Sequence, residues 1–87
     1  MKIVKNYKKI NINNSFVITG TTEELLMIEE ILQSNGIKSD EDWNKKHRHN
    51  CNVIFFDHIK MIYEYHNHNC DFIPIKFVEF IKINKLF

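Results

Sequence analysis

With 87 residues, 44% of them hydrophobic and 26% charged, the chain can build one core but is too short for two. A single domain over residues 1–87 is therefore predicted, and a disordered polar tail is excluded. The net charge of +1 gives no general attraction to nucleic acid or to an anionic membrane.

No apolar run reaches the length of a membrane span, and Met1 to Asn6 lack the apolar stretch of a signal peptide, so a cytoplasmic location with no membrane partner is expected. Seven Phe, three Tyr and one Trp give large buried area per residue, which so short a chain needs. The abundance of Asn, Ile and Lys is the bias left by AT-rich codons and carries no functional meaning by itself.

In chain order, Tyr7-Lys8-Lys9-Ile10-Asn11-Ile12 alternates polar with apolar, and Phe16-Val17-Ile18-Thr19 is β-branched and aromatic. With Asn13-Asn14-Ser15 between them, the pair reads as an N-terminal hairpin. Thr21 lies three residues before Glu24, the spacing of a capping box, so a helix starts here. Leu25, Ile28, Ile31 and Leu32 fill one stripe, Glu23, Glu29, Glu30 and Gln33 are placed off it, and Asn35-Gly36-Ile37 fits a left-handed C-terminal cap. Residues 38–50 are polar apart from Trp43 and read as a loop pinned to the domain by that indole.

Asn52–Phe56 and Met61–Tyr65 are strand-like and predict a central hairpin turning through Asp57–Lys60, with Phe56 opposite Met61. At the end, Pro74 suits the first turn of a short helix in which Val78 and Ile81 share its face. The predicted fold class is α+β: an antiparallel sheet of two hairpins packed against one main helix, with a short C-terminal helix.

Two features of the sequence carry chemistry. The first is a pair of His-x-His-x-Cys segments, His47-Arg48-His49-Asn50-Cys51 and His66-Asn67-His68-Asn69-Cys70. In an extended chain, residues at i, i+2 and i+4 share one face. The expected hairpin register then sets Cys51 against His66, His49 against His68 and His47 against Cys70. Imidazole and thiolate are the ligands zinc prefers, so these six are the candidate metal ligands, with structural zinc as the implied cofactor. Solvated or core-packed His and Cys, or a Cys51–Cys70 redox pair, are the competing readings. Glu64 is the candidate base if such a site were open.

The second feature is an acidic stretch: residues 21–42 hold seven carboxylates against Lys38 alone. Glu23, Glu29, Glu30, Asp40, Glu41 and Asp42 are the candidate partner-binding residues, and a solvated helix face is the alternative. Lys2, Lys5, Lys8 and Lys9 with Tyr7, and Lys45, Lys46 and Arg48 with Trp43, form two basic groups. The acidic stretch opposes the phosphate contacts that dominate nucleic-acid affinity. With Gly20 and Gly36 the only glycines, no phosphate-cradling loop can form, and Ser15, Ser34 and Ser39 lie outside any nucleophile-elbow context. No enzyme class is indicated.

The strand Phe16–Thr19, the helix ending at Gly36-Ile37, Trp43, the later strands and the closing Phe77-Val78-Glu79-Phe80-Ile81 together resemble the β-α-β-β layout of small accessory proteins of bacteriophages and other mobile elements. Anti-CRISPR inhibitors of bacterial defence occur among these. The resemblance implies a non-enzymatic binding protein that docks its acidic surface on a host protein, such as a nucleic-acid-binding defence protein. The alternative is a zinc-stabilised domain contacting protein or nucleic acid, and a symmetric homodimer is a further option for a chain this aromatic.

Overall fold

The computed structural model describes residues 10–67 and 73–84. In chain order the elements are β1 (Phe16–Thr19), α1 (Thr22–Ser34), β2 (Lys38–Ser39), α2 (Glu41–His47), β3 (Val53–Asp57), β4 (Ile62–His66), β5 (Ile75–Lys76) and α3 (Phe77–Ile83). The strands form one sheet in the order β2-β4-β3-β1-β5. β3 pairs antiparallel with both β1 and β4, whereas β2 runs parallel to β4 and β5 parallel to β1, so the α+β class holds but the sheet is mixed rather than antiparallel.

α1 follows its sequence signals. The Thr21 hydroxyl accepts the Glu24 N–H at 3.1 Å and the Glu24 carboxylate accepts the Thr21 N–H at 2.9 Å, closing the capping box. At the other end the Ile37 N–H donates to the Leu32 carbonyl and the Gly36 N–H to the Gln33 carbonyl, with Gly36 at φ 79°. This is a Schellman cap, and Ile37 folds back into the core behind it. Leu25, Ile28, Ile31 and Leu32 are fully buried against Ile18, Ile54, Phe56, Tyr63 and Tyr65 on one face of the sheet. Each such side chain contributes about 1.5–3 kcal/mol of transfer free energy.

Four expectations change. The N-terminal hairpin does not form over the described residues: Ile10–Ile12 is not strand, because both sides of β1 are taken, by β3 and by β5. Residues 1–9 lie outside the described residues. The 38–50 loop instead holds β2 and the two-turn helix α2.

The central hairpin forms, but two residues out of the expected register, with Phe56 opposite Tyr63. Its loop includes Met61, which adopts the left-handed φ of 57° and donates its N–H to the Asp57 carbonyl. A shift of two keeps every side chain on its expected face, because strand faces repeat with period two. The Ser15 hydroxyl clamps this loop, sharing a 2.7 Å hydrogen bond with His58 Nδ1 and accepting the His58 N–H at 3.1 Å.

Finally, the C-terminal helix is present but begins at Phe77. Pro74 lies outside it, and Ile75-Lys76 pairs with Ile18-Thr19. Phe77, Phe80 and Ile81 are its buried residues, while Val78 is exposed.

Candidate functional site

Strand β4 alternates in the sheet, so Tyr63 and Tyr65 point to the α1 side while Glu64 and His66 point to the other. Helix α2 lies along the edge of the same strand, beyond the two residues of β2. Asn44 in α2 is completely buried. Its Nδ2 donates to the Tyr63 carbonyl at 3.0 Å, and its Oδ1 accepts the Tyr65 N–H at 2.9 Å. The side-chain amide thus takes the place of a strand's peptide group and satisfies an edge that would otherwise pair with another chain. Trp43 completes the arrangement, its indole N–H donating to the Tyr65 carbonyl at 2.7 Å.

On the α1 side, Glu29 sits at the centre of a polar cluster. Its carboxylate accepts the Tyr63 hydroxyl at 2.5 Å, the Tyr65 hydroxyl at 2.6 Å, and Arg48 Nε and Nη2 at 2.8 and 3.0 Å. Arg48 also reaches Glu41 at 2.8 Å and lies over the Tyr65 ring, 5.7 Å from its centroid. Burial alone would raise the Glu29 pKa, but the hydrogen bonds from Arg48, Tyr63 and Tyr65 outweigh it and hold the carboxyl below its ordinary value. Burial and the Glu29 carboxylate push the Tyr63 hydroxyl up to about 12 and raise Tyr65 as well. Every group here is charge-balanced or hydrogen-bonded, so the cluster holds α1, α2 and β4 together and offers no open position for a ligand.

On the opposite face Val17 and Val53 are buried, and it is the end of β4 beside α2 that is open to solvent. Trp43 is 40% exposed although its indole N–H is fixed. His47 stacks on it with ring centroids 4.1 Å apart, and His66 lies 5.7 Å away with Phe55 edge-on to it at 6.2 Å. Glu64 Oε1 is 3.5 Å from His66 Nε2. Burial first, and then contact with the Asp40 carboxyl, raise the Glu64 pKa, while His66 opposes the shift.

The expected ligand set does not assemble from its first half. His47 ends α2 and Cys51 follows a turn in which the Cys51 and Asn50 N–H groups both donate to the His47 carbonyl, so the segment is not extended. Cys51 is instead a core residue with its thiol pKa raised by burial, His47 is on Trp43, and His49 is exposed. His68 and Cys70 lie outside the described residues. Among the described residues no three His, Cys, Asp or Glu side chains converge as metal ligands.

Nor do the acidic residues form one surface. Glu29 is buried, Glu41 is engaged by Arg48 and by the Ser39 hydroxyl, and Glu23 and Glu30 are on exposed positions of α1. Asp40 occupies the N-cap position of α2 without a side-chain capping hydrogen bond, and Asp42 in the first turn is exposed.

Sequence reasoning missed the joint between α2 and β4. The faint signal was Asn44 beside Trp43: a short side-chain amide and an indole, each able to bond a strand edge. No helix among the described residues is long and apolar enough to cross a membrane. Comparison with protein-family models, with curated proteins and with solved structures gave no match.

Proposed function

We propose that the protein is a non-enzymatic protein-binding module whose contact surface is the exposed side of α2 and β4, centred on Trp43. The observation that carries this reading is the state of Trp43 itself. It is held rigid by a 2.7 Å hydrogen bond and by His47, yet two-fifths of its surface is left in water. An ordered, exposed Trp costs little further entropy on binding, and Trp is enriched among the residues that dominate interface energetics. Asp40 and Glu64 beside it, with Asp42 at the start of α2, favour a partner with a basic groove. Occupying such a groove would let the protein act as an inhibitor.

The test is capture of a partner on immobilised protein from extracts of the cells that carry it. Retention is expected at low salt, weakening as salt rises and largely lost for Trp43→Ala. A partner retained equally by wild type and Trp43→Ala would overturn the reading.

A further inference from the structure

The two sides of β4 pose the same electrostatic problem, and only one of them is solved internally. On the α1 side two carboxylates, Glu29 and Glu41, are bridged by the Arg48 guanidinium, which also lies over an aromatic ring, Tyr65. On the exposed side Asp40, whose N–H donates to the Tyr63 carbonyl just past the Ser39–Tyr63 pair of the parallel β2–β4 ladder, stands next to Glu64 at the edge of β4, and Glu64 reaches His66, which lies against another aromatic group, Trp43. Among the described residues no lysine or arginine pairs with either carboxylate; His66 is the one basic partner of Glu64. We propose that this face receives an arginine side chain of the partner protein, its guanidinium held by Asp40 and Glu64 and packed against Trp43.

The proposal rests on the docking reading above and names the group that docks. A guanidinium suits the place better than an ammonium because it can bond two carboxylates through its planar fork while lying along an aromatic surface. Burial first, and then the Asp40 carboxyl, disfavour the ionised form of Glu64, and an incoming guanidinium would favour it. Lys45 and Lys46, on exposed positions of α2, and Lys38, on the exposed edge of β2, add positive charge nearby, so the attraction is local to this face and not a property of the whole surface.

The test uses the intact protein and the tripeptide acetyl-Gly-Arg-Gly-amide, read by the fluorescence of the single tryptophan and by the indole N–H resonance. A saturable change is expected with the arginine peptide and not with its neutral citrulline counterpart, and a weaker one with the lysine peptide. Glu64→Gln and Asp40→Asn should each weaken binding about tenfold, the effect of removing one side of a charge-assisted hydrogen bond, while Glu23→Gln leaves it unchanged. An equal response to citrulline, or undiminished binding in both variants, would overturn the arginine slot. If Trp43→Ala abolishes partner capture while excess arginine peptide does not displace the partner, the slot is refuted and docking stands. Displacement of the captured partner by the arginine peptide and not by citrulline supports both.

Discussion

Residues 63 to 66 set two environments back to back on one strand. Tyr63 and Tyr65 face a cluster in which each polar atom has a partner, with Glu29 only 6% exposed. Glu64 and His66 face a cluster of the same residue types, aromatic, carboxylate and cation, that is open to water. The comparison teaches that composition does not separate a closed polar cluster from an open one; the packing around it does. When the carboxylate is boxed in by two hydroxyls and a guanidinium, its charge serves the fold. When it stands at an open edge, as Glu64 does, it meets His66, the neighbouring Asp40 and water.

The largest effect should come from breaking the closed side. Glu29→Ala leaves the partly buried Arg48 and two tyrosine hydroxyls without their acceptor, and is expected to destabilise the fold by about 3–5 kcal/mol in urea unfolding. Trp43→Ala, on the open side, should cost far less stability while removing partner capture. Equal destabilisation by the two would mean that the two sides do not differ in the way described.

Acid and base titrations sharpen the contrast. Because the Glu29 pKa is lowered in the folded state, its contribution is present above the ordinary value of 4.5 and is lost as pH falls through the folded pKa. Because the Tyr63 pKa is raised from 10.0 to about 12, its contribution is complete below pH 10 and disappears as pH rises toward 12. Glu29→Gln should flatten the acid limb of the stability profile, and Tyr63→Phe should reduce the loss in the alkaline window.

At the joint between the two sides, Asn44→Ala strips the partner from the Tyr63 carbonyl and the Tyr65 N–H. It is expected to cost about 1–3 kcal/mol and to make self-association visible by sedimentation. The smallest effects belong to the caps. Thr21→Ala should cost about 1 kcal/mol. Gly36→Ala should cost about 1–2 kcal/mol through backbone strain alone, since a Cβ there meets nothing within 4 Å. Thermal unfolding of these two variants checks both figures.

What could be read from the sequence tracks how local the cause is. α1 was legible at both ends because its caps and its apolar stripe are written within the segment itself. The central hairpin was legible as a hairpin, but not in register, because the left-handed backbone of Met61 has no glycine or asparagine to announce it. α2 was illegible: Glu41-Asp42-Trp43-Asn44-Lys45-Lys46-His47 has no apolar period, and the helix is held by side chains that bond a strand nineteen or more positions away. Glu29 was placed with the solvent-facing acids because a charged residue on a helix usually is; its burial depends on Arg48 and two tyrosines that the helix sequence does not contain. The same distance in sequence hid the exposed Trp43 face, and it made an extended reading of His47–Cys51 look natural where the helix ends at His47 and a turn follows it.

Asparagine is frequent in this chain, and at most positions another polar residue would serve. Position 44 is different. Aspartate offers no donor for the Tyr63 carbonyl, glutamine reaches one methylene too far, and serine or histidine cannot present an amide-like donor and acceptor side by side. In a saturation library selected for folded protein, this codon should lose nearly every alternative, while asparagines on the exposed turns drift freely. Substitution tolerance at a single site would thus separate the interchangeable asparagines from the one that the architecture requires.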